Sequence, residues 1–213
     1  METESRMQRK RRVILSAASS VFLKQGFDGT SMDEVATVAG VSKPTVYKHF
    51  KDKRGLFSAI VAATTNEVEG LVRNLASTLP ESTRLEADLD EVGTRFLSAL
   101  TEPNLLRLRR LVIANAERFP EVSRTWYDQG FARALATLAK CFQRLAERGV
   151  LRPGDPLLAA NHFVGLLLWI PLNRAMFRGD ELTMSSDDIR EQASAATQAF
   201  LRGYRNASPR RRK

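Results

Sequence analysis

Residues 30–50 read TSMDEVATVAGVSKPTVYKHF, and the fold turns on this stretch. It holds two short apolar-periodic segments joined at Gly40. Thr30 or Ser31 can cap the first, with Asp33 and Glu34 in its first turn, where carboxylates suit the helix dipole. Met32, Val35, Ala36 and Ala39 fall on its inner side. Ser42 caps the second segment, and Pro44 sits in its first turn, where a missing N–H costs nothing. Val41, Val46 and Phe50 form an inner face suited to pack on Val35, Ala36 and Phe22. Lys43, Thr45, Tyr47, Lys48 and His49 are left with no internal duty.

Two short helices at a tight glycine turn make a helix-turn-helix, whose second helix can enter the DNA major groove. The outward residues suit that role. Lys43 and Lys48 can reach guanine O6/N7 or phosphate, Thr45 a base edge or a thymine methyl, and Tyr47 and His49 phosphate oxygens. Lys53 and the N–H groups opening the next helix offer a second phosphate site. Thr30 and Ser31, at the start of the first segment, offer another.

Outward from this motif the chain is helical almost throughout. Val13, Ile14, Ala17, Ala18, Val21 and Phe22 line one face of a preceding helix that Gly26 ends. Asp52 caps a helix running from about 53 into the 70s. Further helices are expected at 84–101, 103–118, 120–148, 155–177 and 186–206, punctuated by Pro80, Pro103, Pro120, Pro153 with Gly154, and Gly179. No strand or hairpin pattern appears. The fold class is all-α, about nine helices, opening with a three-helix helix-turn-helix domain.

The 213 residues are 43% hydrophobic, enough for a core. The net charge of +9 is uneven: residues 1–55 carry 11 Lys/Arg against 6 Asp/Glu, and 205–213 carry 5 basic residues and no acid. Basic segments steer toward polyanions. The single cysteine, Cys141, excludes an intrachain disulfide. His49 and His162 lie far from it and from each other, so no metal site or cofactor is implied. There is no nucleophile–base signature and no phosphate loop, so an enzyme is not expected. The N-terminus has no apolar run of signal-peptide type, and the longest apolar run, FVGLLLWIPL (163–172), is about half a membrane span. A cytoplasmic location and no membrane partner are expected.

Residues 26–57, GFDGTSMDEVATVAGVSKPTVYKHFKDKRGLF, resemble the DNA-binding domain of the TetR family of bacterial transcriptional regulators. The pattern is carried by Phe22, Gly26 and Phe27, by Thr30, Ser31, Met32, Val35 and Ala36, by Ala39, Gly40, Val41, Ser42, Thr45, Val46, Tyr47, His49 and Phe50, and by Asp52, Lys53 and Leu56. It covers roughly residues 10–60. The resemblance implies a homodimer with one helix-turn-helix per subunit and an all-helical ligand-binding and dimerisation domain. It places DNA contact at Lys43, Pro44, Thr45, Tyr47, Lys48 and His49, with Lys53 on phosphate. The expected domains are 1–55 for DNA binding, 56–206 for ligand binding and dimerisation, and 207–213 as a basic disordered tail. A stretch from residue 109 to 167 has a looser resemblance to a subgroup of these regulators and names no ligand.

The helix at 155–177 is apolar on nearly all sides and needs cover beyond its own subunit. With 186–206 it is expected to form a four-helix dimer interface through Leu168, Trp169, Ile189, Ala193, Ala196 and Phe200. Phe96, Leu100, Leu108, Leu111, Val112, Trp126, Tyr127 and Phe131 could line an effector cavity, with His162, Phe163 and Leu166, or could be ordinary core. No carboxylate or arginine can be placed in that cavity from sequence, so the ligand's charge stays open. The expectation is a ligand-responsive regulator, read as a repressor, that binds a palindromic site on double-stranded DNA as a homodimer and is released by a small apolar or amphipathic effector. The alternative is a constitutive or architectural DNA-binding regulator with no inducer.

Overall fold

A computed structural model describes residues 5–178 and 184–206. The basic tail expected at 207–213 lies outside the described residues. The α-helices are α1 (Arg6–Gly29), α2 (Met32–Val38), α3 (Lys43–His49), α4 (Lys53–Ala76), α5 (Leu85–Leu100), α6 (Pro103–Ala114), α7 (Pro120–Thr125), α8 (Arg133–Glu147), α9 (Pro156–Arg178) and α10 (Ser186–Tyr204). A 3₁₀ turn spans Leu79–Glu81, and a π-helical segment spans Trp126–Ala132. The all-α expectation holds: the described residues contain no strand, only an isolated bridge between Leu151 and Arg205.

Two local differences have clear causes. Gly26 kinks α1 (φ 74°) instead of ending it, because glycine takes that conformation without a Cβ penalty. The single helix expected over 120–148 is three pieces, α7, the π segment and α8. Apolar spacing cannot distinguish a regular helix from one with a locally widened turn, and such turns recur at functional sites.

The chain forms two compact units. The smaller takes the described residues through Thr65 together with Arg107–Trp126; the larger takes Asn66–Leu106 and the described residues from Tyr127 onward. The smaller unit therefore reaches beyond a boundary at 55. Its core joins Ile14, Phe22, Val35, Val46 and Phe50 to Leu56, Phe57, Ile60 and Val61 of α4, and to Leu108, Val112, Phe119 and Val122. One long and two short helices bury too little apolar surface alone, and these added residues complete the core. Phe27 lies 4.5 Å from Phe119 and 5.6 Å from Phe57 between ring centroids. Arg118 pairs with Asp28 at 2.6 Å, and Arg54 with Glu121 at 2.8 Å. The hydrogen bond from Arg118, and then its charge, hold the Asp28 carboxyl below its ordinary value.

In the larger unit α5 packs on α10, and α9 on α8 and α10. Phe142, Phe163 and Phe200 form a buried aromatic centre, with Phe200 5.0 Å from Phe142 and 5.3 Å from Phe163. Gly93 lets α5 come close: a Cβ there would meet the Ala193 methyl at 3.4 Å. Cys141 is buried, its Sγ donating to the Ala76 carbonyl at 3.3 Å, and burial pushes the thiol up. By length and composition α9 could cross a membrane, yet 44% of its most apolar window is buried against neighbouring helices.

Candidate nucleic-acid interface

The turn between α2 and α3 is a Schellman-type stop. Val41 N–H donates to the Ala36 carbonyl and Gly40 N–H to that of Thr37, both at 3.1 Å, with Gly40 at φ 64°. Ser31 caps α2, its Oγ accepting from Glu34 N–H at 3.1 Å. Ser42 occupies the cap position of α3, but its hydroxyl pairs with that of Thr45 at 2.7 Å and makes no capping bond. Val46, fully buried, and Phe50 anchor α3 to the core. Lys43, Pro44, Tyr47 and Lys48 are exposed along it, while Thr45 and His49 are half-buried. These six side chains share one short helix and present two amines, an imidazole and two hydroxyls. Lys43 is already held by Asp33 at 2.8 Å.

Two expected contact residues already have partners within the fold. Thr30 is buried, its hydroxyl donating to the Gly26 carbonyl at 2.7 Å, because the kinked end of α1 leaves that carbonyl unpaired by the helix. The Lys53 ammonium donates to the carbonyls of Asp28 (3.1 Å) and Thr30 (2.9 Å) and lies 4.7 Å from the Phe27 ring centroid. The spacing that suggested a phosphate ligand puts Lys53 at the first turn of α4, within reach of the α1–α2 loop. Lys53→Met keeps the aliphatic stem and removes both hydrogen bonds. It is expected to cost about 1 kcal/mol of stability, read by thermal melting. A melt identical to wild type would mean the ammonium is not needed there.

The candidate cavity residues divide between the units. Leu108 and Val112 are buried in the core of the smaller one, with Leu111 and Trp126 packed against it. Phe96 and Phe163 are buried in the core of the larger, with Leu100 and Phe131 against it. Tyr127 is exposed, its ring 5.8 Å from Phe131. His162 is exposed and its Nδ1 pairs with the Tyr204 hydroxyl at 2.5 Å. Leu166 is exposed. The larger unit also holds an open cleft of about 470 Å³, lined by Ile170, Arg174, Met184, Asp188, Glu191 and Gln192 among others, and by none of the cavity candidates.

The expected dimer residues also divide. Leu168, Ala193, Ala196 and Phe200 are spent on the chain's own core and Ile189 packs against it. A helix apolar all round gives no sequence signal for which side its own subunit covers. The exposed side of α9 is instead the stripe Leu158, His162, Leu166 and Trp169, with Leu157, Ile170 and Phe177 beside it, and Trp169 is 71% exposed. Ala195 and Ala199 lie on the exposed side of α10. Gln192 Nε2 donates to the Leu166 carbonyl at 2.9 Å and holds the two helices side by side. Of the expected set, Trp169 alone lies on this face.

The chain matches two family models. Residues 14–60 match bacterial regulatory proteins of the tetR family, and residues 87–206 match the C-terminal domain of AefR-like transcriptional repressors. It is similar over 95% of its length, at 46% identity and a TM-score of 0.91, to the whole of a solved TetR-family transcriptional regulator from Mesorhizobium loti MAFF303099. The solved structure of the flavonoid-responsive regulator FrrA is 28% identical with a TM-score of 0.69, covering 95% of this chain and 98% of that one. The HTH-type transcriptional activator FasR of Mycolicibacterium smegmatis is 39% identical over 82 residues, 38% of this chain and 37% of that protein. The match to FasR thus spans little more than a third of its length.

Proposed function

Because this chain belongs to the TetR family of bacterial regulatory proteins, and is a transcriptional regulator rather than an enzyme, we propose that it is a ligand-responsive repressor that binds a palindromic DNA operator as a cytoplasmic homodimer. The observation that carries DNA binding is α3: a helix pinned from below by Val46 and Phe50 that offers Lys43, Thr45, Tyr47, Lys48 and His49 outward. The exposed apolar stripe of α9 and the small residues of α10 supply a face for a second copy, since contiguous exposed apolar surface of this kind marks an interaction site. Two heads joined there must meet half-sites roughly 34–36 Å apart. The match to the AefR-like repressor domain supports repression, and the likeness to a flavonoid-responsive regulator supports a small aromatic or amphipathic effector.

The wiring for such a response lies inside the smaller unit. Residues 107–126 share its core with the helix-turn-helix, and Arg118, Phe119 and Glu121 bind them to Asp28, Phe27 and Arg54. A ligand that favours one arrangement of 107–126 biases the head with it. Arg118→Met combined with Glu121→Gln removes both ion pairs and is expected to raise the effector concentration needed for operator release about fivefold or more. An unchanged release curve would discard this route. The proposal as a whole is tested by selecting the operator from random duplex DNA with the purified protein, then screening metabolites, lipids and drugs for release. An operator complex indifferent to every compound would favour a constitutive regulator.

A further inference from the structure

The first two turns of α1 carry five cations in seven residues, Arg6, Arg9, Lys10, Arg11 and Arg12, and the next acid along the chain is Asp28. All five are exposed. Arg6, Arg9 and Lys10 fall at i, i+3 and i+4, so they share one face of the helix. No hydrogen bond or ion pair of these three side chains is found among the described residues. Folding alone disfavours the arrangement: like charges one turn apart repel, and cations oppose the positive end of a helix dipole. A reciprocal cap nonetheless fixes this end as helix, with Ser5 Oγ accepting from Gln8 N–H at 3.2 Å and Gln8 Oε1 accepting from Ser5 N–H at 2.9 Å. The cationic ridge adjoins α3. Arg11 Cζ stands 5.2 Å from the centre of the Phe50 ring, and that ring lies 6.2 Å from the His49 imidazole at the end of α3. From Arg11 back to Arg6 the helix runs on for roughly 7.5 Å. The neighbouring interface is itself short of cations. Of the lysines and arginines on α3 and the first turn of α4, Lys43 is held by Asp33, Lys53 by the Asp28 and Thr30 carbonyls, and Arg54 by Glu121. Within that set only Lys48 has no such partner among the described residues.

We propose that Arg6, Arg9 and Lys10 form a second DNA contact, gripping the phosphate backbone beside the groove that α3 enters, and that this ridge sets most of the salt dependence of operator binding. This rests on the DNA-binding reading above. A guanidinium offers a planar fork of donors that pairs with phosphate oxygens, and the Lys10 ammonium adds a point charge. Each phosphate neutralised releases counterions, so three such cations in each subunit outweigh Lys48 in the salt slope. A polyanion is the partner this surface fits. It supplies several negative charges to one face at once, and it relieves the repulsion that the three cations suffer in the unbound chain. Duplex DNA is the polyanion that α3, at the near end of the same ridge, already engages. The two helices then divide the work: α3 reads base edges, and the end of α1 holds the head on the backbone without reading sequence.

The test uses the full chain on its selected operator, with affinity read by fluorescence anisotropy over a range of salt concentrations. The triple variant Arg6→Gln, Arg9→Gln, Lys10→Gln is expected to bind about tenfold or more weakly at physiological salt, and to flatten the slope of log affinity against log salt by about two or more. Its preference for the operator over a scrambled duplex is expected to stay near wild type, because a backbone contact is lost from both alike. Arg6→Lys with Arg9→Lys keeps the charges and is expected to keep the slope. Arg133→Gln combined with Lys140→Gln and Arg144→Gln removes the same charge from exposed positions of α8 in the larger unit, and is expected to leave the slope near wild type. The α1 triple variant is expected to melt at or slightly above wild type, since it relieves like-charge repulsion at the positive end of a helix. An unchanged slope in that variant would overturn the proposal and leave α3 standing as the interface. An equal loss in the α8 variant would assign the effect to net charge and would also overturn it. So would a melting temperature several degrees below wild type in the α1 variant, which would make the cations structural. Failure to select any operator would overturn both this proposal and the DNA-binding reading beneath it.

Discussion

Tyr47→Ala combined with Lys48→Ala is expected to weaken operator binding by about a hundredfold or more while leaving helical content and mass in solution unchanged. Each side chain projects from α3 into solvent, so neither supports the core, which Val46 and Phe50 hold from the opposite side. A specific contact at a base edge or phosphate is worth about 1–3 kcal/mol, and two such losses compound to this order. Lys43→Ala is expected to do less. Its ammonium is already shared with Asp33 at 2.8 Å and must leave a carboxylate to reach a phosphate. Fluorescence anisotropy on the selected operator, run at several salt concentrations, separates the contributions. Loss of Lys48 flattens the salt dependence by about one phosphate. Near wild-type affinity in the double variant would remove α3 from the DNA interface.

In the proposed dimer, Trp169→Glu is expected to leave a folded monomer. Trp169 is 71% exposed on the α9 stripe, so its side chain supports nothing inside its own chain. At a two-fold interface the substitution places two carboxylates in one apolar seam. A monomer engages one half-site and loses the effective-concentration advantage of the pair, so operator affinity is expected to fall about a hundredfold or more. Ala196→Arg provides the contrast. Ala196 is 3% exposed within the chain's own core, and an arginine there is expected to unfold the larger unit rather than divide the dimer. Light scattering reports the mass and circular dichroism the fold. A Trp169→Glu protein that still weighs as a dimer at micromolar concentration would place the interface elsewhere.

The helix-turn-helix was legible in the sequence where its physics is local. Caps, a glycine stop and apolar spacing identify α2, the turn and α3 without knowledge of the remaining chain, because each depends on residues within about one turn. The same spacing separates the inward Val46 and Phe50 from the outward Tyr47 and Lys48. The intrachain partners of Thr30 and Lys53 could not be read there because they come from other segments: the Gly26 carbonyl at the α1 kink for one, and the α1–α2 loop for the other. Residue type gives donors and acceptors but not which of them the fold consumes.

By itself the sequence determined an all-helical chain, a helix-turn-helix at residues 30–50, the outward polar set on α3, and a C-terminal helix too apolar to stay uncovered. These follow from periodicity and capping, which act over a few residues. Only the tertiary structure decided that residues 107–126 belong with the DNA-binding head, and that Ala193, Ala196 and Phe200 turn inward while Leu158, Leu166 and Trp169 turn out. Each of these depends on which distant helix arrives at a given face. For a chain built almost entirely of amphipathic helices, many pairings satisfy the same apolar pattern, and close packing of specific side chains selects among them.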